Sequence, residues 1–496
     1  MENYLFEKMS VPKAYMKLAL PVVLSMIVSL VYNMVDTYFI ALTGVQELVA
    51  GVSLVAPMFT LMIAFGDIFG LGGSSAISRL LGEKKDNEAK KTCAFCIWIS
   101  LVFGLCISAI LLLFRTQILG LLGVGKDTYQ YANAYYTWIA IGAVSIIFSM
   151  VPSNILRTEG LAVQSMAGSI IGSIVNIIFD PIFIFGLNQG AAGAAMATVL
   201  GNIIADIYYV YAVMKKSKRL TCSPSHMKVT GRRIRDILMI GIPASITNIM
   251  QTFMMVMTNN FLLTYGTDKV AAMGIALKVN MITALVLVGF AFGGQPLVGY
   301  NYGAKNEKRL KNILKFAYLF EMGLGLLFTI LMCIFAPQII KVFMDKPDII
   351  TNGAMMLRFQ QIGMTFMSVS LISTCVCQAV GNAGGAFVLS ISRQGVIYVL
   401  ALFIMSNVFG YTGVLVSQAC SDVVTALIAA VIMLKIMKKL TNKMNNIRCK
   451  KRSKKLTVLP MSVFLTILRN FFQSFNLAHL HTLIHKQSQI CIQMES

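Results

Sequence analysis

Apolar residues in this chain gather in long blocks separated by short polar connections. A helix needs about 20 residues to cross ~30 Å of hydrocarbon, and about twelve blocks reach that length. The pattern therefore predicts an all-α integral membrane protein with twelve transmembrane helices. The first block, from about Ala14, is too long for a cleavable leader and lacks a small-residue cleavage site, so it is expected to stay as the first span.

The blocks repeat. "LALPVVLSMIVSLVYNMVDTYFIALTG" (18–44) aligns with "MIGIPASITNIMQTFMMVMTNNFLLTYG" (239–266), which sets Pro21 against Pro243 and Gly44 against Gly266, both 222 apart. Gly82 and Gly303, then Gly160 and Gly381, follow at 221, and Gly193 and Gly413 at 220. Two copies of a six-helix unit result, and because six is even both enter the membrane in one orientation. Parallel repeats of this kind are one of the architectures of secondary transporters, with the substrate path between the halves. The expected organisation is an N-terminal lobe (1–214), an inter-lobe loop (215–235), a C-terminal lobe (236–440) and a basic tail (441–496), disordered or lying on the membrane surface.

Composition agrees: 57% hydrophobic, 12% charged and a mean hydropathy of +0.74, against about a quarter charged in soluble domains. The net charge of +22 does not point to nucleic acid, because the basic residues follow the second, sixth and eighth spans (Arg79 to Lys91, Lys215 to Arg235, Lys305 to Lys311). The loops after the first and fifth spans carry neither Lys nor Arg. By the positive-inside rule both termini and the even-numbered loops face the cytoplasm of a cell membrane. The Cys93/Cys96 pair opens an apolar helix with no second pair or His nearby, so it reads as packing thiols rather than a metal site.

Asp36 is the single formal charge between Lys17 and Glu47, and Asp180 the single one from Leu161 to Ala205. Ionisable groups inside spans cost about 2.5–3.5 kcal/mol on insertion scales and mark an ion path or binding site. Counted at 1.5 Å per residue, both lie roughly 10 Å below the outer ends of their helices. Asn176 shares the Asp180 face at i−4, Thr198 returns to the same level on the next helix, and Pro181 removes a backbone donor beside them. Two carboxylates, an amide and a hydroxyl make an oxygen site for Na⁺ or a proton, and two close carboxylates titrate as a pair. A structural hydrogen-bond network is the plain alternative. The second half lacks this set: Asp36 corresponds to Thr258, and Asp180 falls opposite the apolar run near Leu400. Asp67, Asp206, Glu321 and Asp422 read as isolated charges. In the second half Gln251, Met254, Met257, Asn259 and Met364 are candidates to line an adaptable cavity for aromatic cations.

"GGSSAISRLLGEKK", "ILRTEG", "NIIFDPIFIFG", "GAAGAAMATVLGN" and "GGQPLVGYNYGAKN", with the opening segment, resemble the multidrug and toxic compound extrusion (MATE) family, in its MepA-like bacterial branch, over residues 5 to about 440. The resemblance implies two lobes around a central cavity, and export of organic cations and drugs by a monomer, driven by inward H⁺ or Na⁺ without a cofactor. It carries the family's cation site onto Asp36, Asn176, Asp180 and Thr198. Helix bending is expected at Pro21 and Pro181. A lipid-linked saccharide or lipid flippase of the same superfamily is the nearest rival, but it should offer Arg or Lys to phosphates, whereas Arg157, Arg358 and Arg393 read as helix-end residues. An enzyme is disfavoured because the bundle has no His, and His226 sits in a loop.

Overall fold

The computed structural model describes residues 4–448, and every regular element among them is helical. A short π-turn, Tyr4–Lys8, precedes α1 (Val11–Leu42), α2 (Gln46–Gly82), α3 (Asp86–Leu113), the short α4 (Arg115–Leu121), α5 (Lys126–Thr158), α6 (Ala162–Pro181) and α7 (Gly190–Lys215). After the inter-lobe loop come α8 (Gly231–Leu263), α9 (Thr267–Gly303), α10 (Glu307–Ile334), the short α11 (Ala336–Phe343), α12 (Pro347–Val380), α13 (Ala383–Ile391) and α14 (Ile397–Arg448). Backbone groups cannot be left unpaired in hydrocarbon, which is why the spans are continuous helices.

Among the described residues eleven helices are long and apolar enough to cross a membrane, the last running from Ala383 to Lys438. That run breaks at Gly410, whose φ of 55° and ψ of −129° are not helical, so it makes two passes and the total is twelve. Because α14 continues to Arg448, helix extends past the boundary expected at 440. The remainder of the basic tail lies outside the described residues.

The repeat is written into the backbone as well as the sequence. Left-handed residues occur in pairs at its offset: Gly44 with Gly266, Lys84 with Lys305, Gly160 with Gly381, and Gly190 with Gly410. The short helices match too, since α4 starts at Arg115 and α11 at Ala336, each behind a phenylalanine. Leu119 and Ile340, 221 apart, are both fully buried and seat these helices in the apolar cores of their own lobes.

The lobes meet tightly at the end that carries the basic loops. A Cβ on Gly82 would lie 2.1 Å from the Tyr300 carbonyl oxygen, and one on Gly303 would lie 2.1 Å from that of Arg79. Arg79 and Tyr300 are themselves repeat mates, so this is one crossing seen twice. Further along the seam, Gly241 leaves no room for a Cβ against the Ile68 carbonyl, where it would stand at 1.8 Å. Polar ties reinforce the closure: Arg79 Nη1 donates to the Ala379 carbonyl at 3.0 Å, Ser75 Oγ to that of Gln378, and Tyr15 Oη to that of Phe290 at 2.9 Å. The N-terminal π-turn is clamped there as well, with Arg309 donating to the carbonyls of Phe6 (2.7 Å) and Met9 (2.6 Å). Toward the opposite end, Val31, Met34 and Tyr38 of α1 and Phe253 and Val256 of α8 are exposed.

Adding a methyl group at the crossing should therefore force backbones apart. Gly303→Ala is expected to cost about 1–3 kcal/mol by overpacking, read as a lower thermal midpoint of the purified protein. Gly323→Ala, whose Cβ would meet nothing within 4 Å, should stay within about 0.5 kcal/mol of wild type.

Candidate cation site

Asp36 lies near the far end of α1 and Asp180 in the last turn of α6, and their carboxyl groups face each other within hydrogen-bonding reach. Asp180 is fully buried. Asn176, one turn earlier, holds it: its amide nitrogen donates to Asp180 Oδ2 at 3.2 Å while its oxygen accepts from Thr198 Oγ1 (3.1 Å) and Thr198 N (3.0 Å). The side chains of Asp36, Asn176, Asp180 and Thr198 thus come together from α1, α6 and α7. Pro181 ends α6, and the chain continues through the π-turn Ile182–Gly186. Pro21, by contrast, is buried within a helix that runs on past it.

One oxygen of each carboxyl, Asp36 Oδ1 and Asp180 Oδ1, is buried without a hydrogen-bond partner. Two neighbouring carboxyl groups that each keep an unsatisfied oxygen form an arrangement that a cation or a shared proton would complete, since an unmet buried polar group costs about 1–3 kcal/mol. Tyr32, one turn before Asp36, and Tyr135 of α5 lie close to both acids. Sequence reasoning missed these two. The i−4 spacing could have flagged Tyr32, whereas Tyr135 comes from a helix with no local link to the motif.

Behind the acids, α7 carries a polar ladder one turn apart: Asn202 donates to the Thr198 carbonyl at 2.8 Å, and Ser149 of α5 donates to Asp206. Asp206 is therefore not isolated. Neither is Asp67, which accepts from Asn248 of the other lobe at 3.1 Å.

The second lobe meets the same problem differently. Thr258, the repeat mate of Asp36, pairs its hydroxyl with that of Tyr398. Gln418 and Asp422 stand 220 after Thr198 and Asn202; Asp422 is fully buried and accepts from Gln418 (3.3 Å) and from Arg393 Nε (2.8 Å). Asp422, read from sequence as isolated, thus has an internal counter-ion. Arg393 is no helix-end residue either: it occupies the π-turn Ser392–Val396 within the eleventh span. Of the cavity candidates, Gln251 is exposed and Asn259 half-buried on α8. Met254 and Met257 pack against the apolar core of the second lobe. Met364 is a correction: it is buried against Leu287 and Met367, filling core volume rather than lining a cavity.

The two lobes should respond differently to loss of a charge. Arg393→Leu leaves Asp422 buried and unpaired and is expected to destabilise the fold by about 3–5 kcal/mol, whereas Asp36→Asn removes a carboxylate that has no counter-ion and should leave the thermal midpoint near wild type. Comparison with known proteins identifies the architecture. The profile of the MatE family matches residues 21–182 and 243–404, two segments 222 apart. The multidrug export protein MepA of Staphylococcus haemolyticus is 30% identical over 428 residues, covering 86% of this chain and 94% of that protein. A crystal structure of MATE in complex with MaL6 superposes with a TM-score of 0.84 at 24% identity, over 88% of this chain and 99% of the other. An outward-facing multidrug resistance MATE family transporter of the MOP superfamily superposes with a TM-score of 0.83 at 25% identity, over 88% and 98%. Matched twice at its own repeat offset and over most of its length, the chain belongs to the MatE family.

Proposed function

We propose that this chain exports organic cations and drugs across the cytoplasmic membrane by antiport with H⁺ or Na⁺. The observation that carries the reading is the facing pair Asp36 and Asp180, with one unpartnered oxygen on each, in the first lobe alone. The name of the staphylococcal relative, a multidrug export protein, supports the cargo class.

With the basic loops on the cytoplasmic side, the closed seam is the inner gate and the structure is an outward-facing state. A cation arriving from outside binds between Asp36 and Asp180, steadied by Asn176 and Thr198. Its charge removes the need for the two acids to avoid each other, α1 shifts about Pro21, and α6 yields at Pro181 and the π-turn behind it. The lobes then rock, cargo leaves the cavity on the outer side, and the cation is released inside. A membrane potential of 100 mV supplies about 2.3 kcal/mol per charge, enough for roughly 50-fold accumulation. The cation site belongs to the first lobe, because Asp422, the second lobe's acid one turn from the mate of Thr198, is already neutralised by Arg393. That pairing also weighs against a lipid flippase, because Arg393 is committed to Asp422 and is not free to take a phosphate.

Efflux of ethidium from proteoliposomes tests the reading under a pH gradient and, separately, a Na⁺ gradient. Wild type should export under one of them, which names the ion, and Asp36→Asn should lose at least about tenfold in rate. Export undiminished in Asp36→Asn would remove the carboxylate from the coupling step, and no export under either gradient would sink the antiport reading.

A further inference from the structure

Among the buried acids discussed above, Glu321 stands apart. It lies midway along α10, is fully buried, and neither of its carboxyl oxygens has a hydrogen-bond partner among the described residues. Asp67, Asp206 and Asp422 all have donors. The repeat also gives Glu321 no structural excuse: its mate 221 residues earlier is Ser100, fully buried and satisfied by the Ile97 carbonyl at 2.8 Å. A helix at this place in the fold therefore packs without an acid.

The surroundings restrict what could balance it. The titratable groups beside Glu321 are Tyr15 of α1 and Cys375 of α12, with Arg157 of α5 beyond Cys375. Tyr15 cannot donate to it, because its hydroxyl is given to the Phe290 carbonyl of α9. Phe316 and Phe320 of α10 complete the wall, their rings 5.4 and 6.3 Å from that of Tyr15. Lys269 and Lys278 of α9 and Arg358 of α12 make no ion pair with Glu321 among the described residues, Lys269 donating instead to Asn352 at 2.7 Å, and neither does Lys315 of its own helix. A hard metal cation would want about six oxygen ligands, and these rings and thiol offer at most the Tyr15 hydroxyl. A bare carboxylate here would cost several kcal/mol, so the ligand that fits is a proton.

The cover belongs to the other lobe. Tyr15 sits on α1, pressed against α9 so closely that a Cβ on Gly294 would lie 2.2 Å from its ring, and this contact is part of the seam that closes the basic end. Parting of the lobes at that end withdraws Tyr15 from α9 and α10 and exposes the carboxyl to water. We propose that Glu321 is a second proton-binding site, protonated while the basic end is closed and free to release its proton on that side when the lobes separate. This site is distinct from the Asp36–Asp180 pair and does not depend on it.

Infrared difference spectroscopy of the full chain in liposomes tests the site. At neutral pH the wild type should show a protonated-carboxyl C=O band that Glu321→Gln lacks, that Glu321→Asp restores at a shifted position, and that Asp36→Asn retains. Nitroxides at Lys85→Cys and Lys308→Cys then follow the basic end: raising the pH should populate longer distances in wild type and in Asp36→Asn, and this response should be lost in Glu321→Gln. A band unchanged in Glu321→Gln, or the same pH response of the distances in that variant, overturns the proposal. Failure of the antiport reading alone would appear instead as no ethidium export under either gradient, with the infrared band and the distance response intact.

Discussion

A carboxylate in hydrocarbon must find a partner or hold its proton, and the buried acids of this protein differ in how they meet that demand. Asp422 finds a guanidinium, Asp206 a serine, Asp67 an amide from the opposite lobe. Asp36 and Asp180 find chiefly each other, with Asn176 satisfying one oxygen of Asp180. The first three are closed accounts that weld helices together. The last is left open on one side, which is what a site for a small cation requires.

The duplication makes this difference readable. Two copies of one fold share left-handed turns, short helices and core positions at a constant offset, so any departure from the pattern marks where the copies took different roles. At the level of Asp36 the second copy carries a hydroxyl pair, Thr258 with Tyr398. At the level of Asn202 it carries an acid with its own cation. Conversely, Glu321 interrupts a place where the first copy has a serine. Symmetry here acts as an internal control: the scaffold needs what both halves possess, and the remainder is chemistry.

Much of this was legible in the chain. Span number and the repeat follow from hydropathy and glycine spacing, which are properties of the sequence itself. Asp36, Asn176, Asp180 and Thr198 could be brought to one level by counting 1.5 Å per residue along three adjacent helices, because helix rise is fixed and the hydrocarbon sets a common origin. What could not be read is lateral contact between spans. Nothing local to Arg393 says that it faces Asp422, since the pairing depends on a π-turn in one helix and on the rotation of the next. The Asp67–Asn248 bond crosses from lobe to lobe, and the packing of Met364 depends on which face of α12 turns inward. Exposure and burial of methionine are indistinguishable in composition, because thioethers suit both.

The π-turn at Tyr4–Lys8 has a consequence for how the chain is made. Phe6 stacks on Tyr300 with ring centroids 4.7 Å apart, Glu7 accepts from the Tyr300 hydroxyl at 2.8 Å, and Arg309 and Asn301 hold the carbonyls around them. These partners emerge from the ribosome some 290 residues after the segment they bind, so this turn, made early, is seated late. During that interval six spans of the first lobe can insert and pack, but the seam cannot be sealed, because half of it has not been translated. Closure of the seam and seating of this turn therefore wait on the same later-made residues.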